Sequence, residues 1–130
     1  MVIDTSALLS ILFNEPEAER IARSIAADPR RLASALTVLE SSIVAEARKG
    51  EAGGRELDLL IHRIGLESVP LTGSHGDVAR DAWRRFGKGR HPAGLNLGDC
   101  CPYALSRISG EPLLFKGGDL ADTDVTPVRY

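Results

Sequence analysis

The sequence predicts an α/β domain with a mostly parallel central sheet of four to five strands and helices on both faces. Three observations carry that reading. Short apolar runs recur at Met1 to Asp4, Leu32 to Ala35, Leu66 to Leu71 and Pro112 to Phe115. Longer segments with apolar residues at helical spacing lie between them, and glycine, proline or aspartate turn signals separate the two kinds of segment. At 130 residues the chain suits one domain, able to bury about two thirds of its unfolded surface.

Met1 to Asp4 reads as a buried strand, after which Ala7, Leu8, Ile11 and Leu12 recur at helical spacing, with Thr5 or Ser6 placed to cap the helix. Pro16 fits the start of a second helix running to about Ala27, and Asp28 and Pro29 mark the turn into the next strand. Leu36 to Lys49 has a helical pattern that Gly50 ends, and Leu57, Leu60, Ile61 and Ile64 define another amphipathic helix beyond Gly53 and Gly54. Leu66 to Leu71 is a third strand, Ser74 to Phe86 a helix, and the stretch from Gly87 to Gly98, with four glycines and a proline, a loop. A helix over Asp99 to Ser109, a strand over Pro112 to Phe115 and an edge strand over Val125 to Val128 complete the chain. Pro127 lacks the donor that a central strand needs.

Composition narrows the function classes. No apolar run approaches the roughly 20 residues of a bilayer span, and no basic region precedes the short apolar start, so a cytoplasmic protein without a membrane partner is expected. Cys100 and Cys101 are adjacent, where a bridge would be strained, and no Cys-x-x-Cys pair or His cluster points to zinc. They read as small buried apolar residues in a reducing compartment. A net charge of −2 argues against non-specific nucleic-acid binding over the whole surface. Nevertheless RDAWRRFGKGRH, from Arg80 to His91, holds five Arg or Lys residues against one acid, a local basic patch. Neither G-x-G-x-x-G nor G-x-x-x-x-G-K-[ST] occurs, which argues against nucleotide-cofactor chemistry.

The acids are more informative. In parallel sheets ligands collect beyond the carboxyl ends of the strands, a rule that puts Asp4, after the first strand, and Asp119, after LLFKGG, at one rim. Glu40 has apolar helical neighbours in Leu36, Ile43, Val44 and Ala47. A carboxylate on such a face needs an ion-pair partner, a metal, or a helix rotated to expose it. Asp99 follows Gly98 at a helix start, where alone it reads as a cap, with Pro102 in the first turn. Asp119 lies in KGGDLADTD, a polar turn that also carries Asp122 and Asp124. Together Asp4, Glu40, Asp99 and Asp119 come from four elements at one end of the sheet and make an all-oxygen donor set suited to Mg²⁺ or Mn²⁺. Two carboxylates about 4 Å apart repel by roughly 4 kcal/mol at an effective dielectric near 20. Such a cluster would take up protons or separate unless positive charge were bound.

The segments MVIDTSAL, SALTVLES around Glu40, GLNLGDC around Asp99 and GEPLLFKGGDLADTDV occur in an order and spacing that resembles the PIN-domain ribonucleases, most closely the VapC-type toxins of bacterial toxin–antitoxin modules. The likeness covers nearly the whole chain and implies a single PIN domain over residues 1–130, with a three-layer α/β/α arrangement. By that resemblance Asp4, Glu40, Asp99 and Asp119 form the catalytic metal site, Ser6 supplies a hydroxyl beside Asp4, and Asp122 and Asp124 are secondary candidates. Two features depart from the family pattern: Leu120 stands where an aromatic is common, and Cys-Cys-Pro follows Asp99.

The resemblance further implies endonucleolytic hydrolysis of RNA with Mg²⁺ or Mn²⁺, leaving a 5′-phosphate and a 3′-hydroxyl, in a bacterial cytoplasm. It also implies a homodimer and a cognate VapB-type antitoxin that blocks the acidic site. Arg84, Arg85, Lys88, Arg90 and Lys116 are candidate phosphate contacts, the alternative for each being a solvated surface charge. Two other classes fit parts of the sequence. A receiver-like, Mg²⁺-dependent phosphotransfer domain would also place acids at strand ends, but Glu40 and the lack of a second aspartate beside Asp4 argue against it. A catalytically weak PIN-like RNA-binding module would keep the fold and lose turnover, whereas all four acids are present.

Overall fold

A computed structural model describes residues 1–130. Its elements, in chain order, are β1 (Val2–Ile3), α1 (Thr5–Leu12), α2 (Ala18–Ala27), β2 (Leu32–Ser34), α3 (Ala35–Ile64), β3 (Glu67–Val69), α4 (Gly73–Phe86), α5 (Leu97–Ser109) and β4 (Leu113–Leu114), followed by a 3₁₀ turn at Leu120–Asp122. The strands form one parallel sheet in the order β3-β2-β1-β4. Val2 pairs with Leu32 and Leu113, and Ile3 with Leu114. No helix is long and apolar enough to cross a membrane.

Alternation along the central strands builds the three layers, because successive side chains leave a strand on opposite faces. Val2, Leu32 and Leu113 point to one face, where they pack with Ala79 and Ala82 of α4 and with Cys100, Tyr103 and Ala104 of α5. Ile3 and Leu114 point to the other, against Ala7 and Leu8 of α1 and Ile21 and Ile25 of α2. Each fully buried Ile, Leu or Val contributes about 1.5–3 kcal/mol relative to exposure. Both cysteines are buried and unbridged, as expected of small apolar residues.

Several boundaries differ from the sequence reading, each for a local reason. Asp4, not Thr5 or Ser6, caps α1: its backbone is extended and its carboxylate accepts from the Ser6 N–H at 3.0 Å. The second helix begins at Ala18 rather than Pro16, with residues 15–17 forming a turn. Asn96 caps α5, which moves Asp99 to the third helical position and Pro102 to the sixth, beyond the first turn. The segment from Val125 to Val128 is a single bridge between Pro127 and Leu113 rather than a strand; its bonds to Leu113 run through the Thr126 carbonyl and the Val128 N–H, so Pro127 turns its donorless nitrogen away from β4.

The break at Gly50 is present inside α3. Its φ of 64° and ψ of −161° fall in a region open essentially to glycine. No atom lies within 4 Å of where a Cβ would stand, so the backbone alone opposes substitution there. Gly50→Ala is therefore expected to lower the unfolding free energy by about 1–3 kcal/mol in urea denaturation, without loss of buried contacts.

Candidate active site

A cavity of about 290 Å³ opens at the carboxyl edge of the sheet, lined by Asp4, Ser6, Asp99, Lys116 and Asp119, with Gly117 and Gly118 leaving its wall open. Asp4 leaves β1 with only 6% of its surface exposed. The Ser6 hydroxyl donates to Asp4 Oδ2 at 2.6 Å and accepts from the Lys116 backbone N–H at 2.8 Å. The first turn of α1 is thereby joined to the chain leaving β4.

Asp99 is held from the start of α5. Its Oδ2 accepts from the Asn96 N–H at 2.9 Å while Asn96 Oδ1 accepts from the Asp99 N–H at 3.0 Å, a reciprocal cap that fixes both side chains. Glu40 is half-buried, and its Oε2 accepts from Thr5 Oγ1 at 2.6 Å. Helix α3 buries Thr37, Ser41 and Ala45, so the apolar residues around Glu40 are not its core face: Leu39 and Ile43 are 54% and 59% exposed. Of the three resolutions open to Glu40, rotation toward the surface is thus realised in part. Gly98 lets α5 approach it, since a Cβ there would lie 2.6 Å from Glu40 Oε1. Glu40 therefore stands beside Asp99, next to the cavity rather than in its wall.

Burial raises the Asp4 carboxyl to about 6, against its hydrogen bonds from Ser6 and with a smaller contribution from Asp99. Asp99 is raised as well, first by burial and then by Asp119 and Glu40. Lys116 is the only basic residue lining the cavity, and its ammonium is bound to Glu15 at 2.6 Å and Glu17 at 3.2 Å instead. Nowhere do three or more carboxylate, imidazole or thiol groups converge to enclose a metal ion. Mg²⁺ seldom requires such a cage. It retains several waters and is held by one or two carboxylates together with substrate phosphates. A buried carboxylate of raised pKa and two further acids around one uncompensated cavity fit a hard divalent cation.

Asp119 and the candidates outside the cavity lie toward the surface. Asp119 precedes the 3₁₀ turn that contains Asp122, and both are exposed. Asp124 accepts from Tyr103 Oη at 2.7 Å and from Arg85 Nη2 at 2.9 Å, which commits Arg85 to an ion pair over the α4–α5 surface. Arg84 and Lys88 are exposed, and the Arg90 guanidinium lies 4.2 Å over the Trp83 ring. The sequence reading takes Thr5 only as a helix cap and does not single out Asn96, Glu15 or Glu17. Only Asn96 had a readable signal, the three-residue spacing to Asp99 that permits a reciprocal cap.

Comparison with known proteins places these features among relatives. A family model described as PIN domain matches residues 1–125. The chain is 55% identical over 129 residues to a protein named Ribonuclease VapC from Mycolicibacterium smegmatis, covering 99% of this chain and 100% of that one. Among solved structures it is similar to VapC20 of Mycobacterium tuberculosis, a sarcin–ricin loop cleaving toxin, with a TM-score of 0.76, 19% identity, and coverage of 99% and 98%. It is also similar to a chain of a toxin–antitoxin complex from Klebsiella pneumoniae, with a TM-score of 0.73, 16% identity and the same coverage. Both structural likenesses reproduce the three-layer parallel architecture.

The Asp4 environment makes a measurable prediction. A carboxyl raised from 3.8 to about 6 binds its proton more tightly folded than unfolded. Its contribution to stability is present below about pH 4 and is lost as pH rises toward 6, a cost of roughly 3 kcal/mol near neutrality. Asp4→Asn keeps an acceptor for Ser6 without the charge. In EDTA near pH 7 its urea unfolding free energy should exceed the wild type's by about 1–3 kcal/mol, and the advantage should vanish below about pH 4.

Proposed function

The chain belongs to the PIN-domain family, on its VapC ribonuclease branch, and we propose that it is a toxin that hydrolyses RNA phosphodiester bonds with Mg²⁺ or Mn²⁺ held by the carboxylates of the cavity. The observation that carries this reading is the cavity itself: Asp4, Asp99 and Asp119 line it, Glu40 adjoins it, and its one basic residue is engaged elsewhere.

Asp4, Asp99 and Asp119 would hold the cation, which supplies Lewis-acid activation of the attacking water and offsets charge developing at the phosphate. The chain's own contribution is preorganisation. Ser6 fixes Asp4, Thr5 fixes Glu40 and the reciprocal cap fixes Asp99. These donors therefore need not reorganise as charge develops. Glu40 lines the adjoining groove beside Gly98, next to the cavity rather than in its wall, and would serve this reading as a proton acceptor. Lys88, Arg84 and Arg90 would contact RNA phosphates, while Arg85 is engaged by Asp124 and Lys116 by Glu15 and Glu17.

A VapB-type antitoxin is the partner of this reading, occupying the acidic cavity and stopping turnover. For a homodimer the best face is the largely apolar groove formed by Leu36, Leu39, Ile43, Val44 and Leu97, which Glu40 also lines and in which Leu97 is 71% exposed. Leu39→Glu/Leu97→Glu is expected to weaken self-association at least roughly tenfold in sedimentation equilibrium. A wild-type protein that stays monomeric at micromolar concentration would remove the dimer.

The activity is tested with antitoxin-free protein on end-labelled total RNA in Mg²⁺ or Mn²⁺. Discrete cuts are expected, abolished by EDTA and reduced roughly 100-fold or more in Asp99→Asn. Equal behaviour of wild type and variant at every metal, with RNA bound but uncut, would establish the non-catalytic RNA-binding module instead.

A further inference from the structure

Lys116 lines the acidic cavity, yet its ammonium lies between two glutamates from a different part of the chain. Glu15 Oε2 accepts from it at 2.6 Å, and Glu17 Oε2 lies 3.2 Å away with no aligned hydrogen-bond donor. The two glutamates flank Pro16 in the turn between α1 and α2. That turn is closed by backbone bonds from Glu15 N–H to the Ser10 carbonyl and from Ala18 N–H to the Glu15 carbonyl, both at 2.9 Å. The Lys116 backbone is fixed as well, through its N–H to Ser6 Oγ. Only the side chain is free to choose between two acidic surroundings.

Ion pairs as open to solvent as these contribute little to stability, and two carboxylates exceed what one ammonium needs for neutralisation. Their effect is on where the ammonium sits. A lysine on its four-carbon stem would otherwise turn toward the uncompensated carboxylates that share its cavity and supply the positive charge they lack. We propose that Glu15 and Glu17 are positioning residues that hold the Lys116 ammonium at the rim, so that it does not neutralise Asp4, Asp99 and Asp119 and the cavity stays available to a divalent cation. This rests on the reading of the cavity as a cation site.

The test is a Mn²⁺ titration followed by the electron paramagnetic resonance signal of free Mn²⁺. It compares wild type, Lys116→Met, Glu15→Gln/Glu17→Gln and the triple variant, each confirmed folded by its thermal transition. With the glutamates present, Lys116→Met should change the Mn²⁺ Kd less than about threefold, whereas removing the glutamates should weaken binding roughly tenfold and adding Lys116→Met should restore most of it. Glu15→Gln alone, which leaves one carboxylate on the ammonium, should fall between. A purely long-range charge effect is additive, so equal improvement by Lys116→Met in both backgrounds overturns the clamp and leaves the cation site standing. Failure of the wild type to bind Mn²⁺ overturns the cation site and the clamp with it.

Discussion

The Ser6 hydroxyl donates to Asp4 and accepts from the Lys116 backbone N–H, and through that pair of bonds the ends of the adjacent strands β1 and β4 are tied across the acidic cavity. A hydroxyl is among the few groups able to do both at once. Because β1 and β4 are paired in register, the bond fixes not only the Asp4 rotamer but also the start of the 116–119 segment that carries Asp119. The position of the first acid relative to the last therefore depends on one side chain. Alanine at residue 6 would leave the backbone ladder and the residue-6 N–H bond to Asp4 intact, but would cut the link between that carboxylate and the Lys116 backbone.

The arrangement is unfavourable in isolation, and the fold tolerates it because the sheet is covered on both faces. Asp4 ionises against burial while Asp99 ionises against burial, Asp119 and Glu40. The offsetting contribution comes from residues a few ångströms away: Val2 and Leu113 on one face, Ile3 and Leu114 on the other, all fully buried. Local charge strain at a site and generous packing beneath it are the usual division when a binding site must stay reactive. It also explains why the reciprocal caps matter here. A carboxylate repelled by its neighbours leaves the site unless a hydrogen bond of 2.6–2.9 Å, such as those at Asp4, Glu40 and Asp99, holds it.

How far the sequence reveals this depends on the range of the interaction. The four strands, the break at Gly50 and the grouping of the four acids at one end of the sheet are legible because each follows from a short pattern: an apolar run, a glycine after a helical stretch, an acid at a strand end. Boundaries fail where two local signals compete, as when Asp4 outcompetes Thr5 as a cap and Asn96 outcompetes Asp99. Helical spacing marked the apolar surroundings of Glu40 correctly but could not say that Thr37, Ser41 and Ala45 form the buried stripe, since small polar residues carry no hydropathy signal. Long-range pairings were invisible altogether. Thr5 meets Glu40, Arg85 meets Asp124 and Lys116 meets Glu15 only once the topology is known. Counting basic residues therefore reads Arg85 as free charge.

The first turn of α5 brings two surfaces together that the sequence presents separately. Successive helical residues are rotated by about 100°, so Leu97 and Asp99 face different surfaces. Leu97 and Gly98 line the groove, where Gly98 abuts the Glu40 carboxylate, and Asp99 lines the acidic cavity. All three depend on the same Asn96 cap. A molecule that covers Leu97 must therefore bear on the helix end that positions Asp99 and on the glycine that admits Glu40. The cap bonds Asp99 directly, and Gly98 has no side chain to yield between the backbone and Glu40, so displacement of that turn would reach both carboxylates.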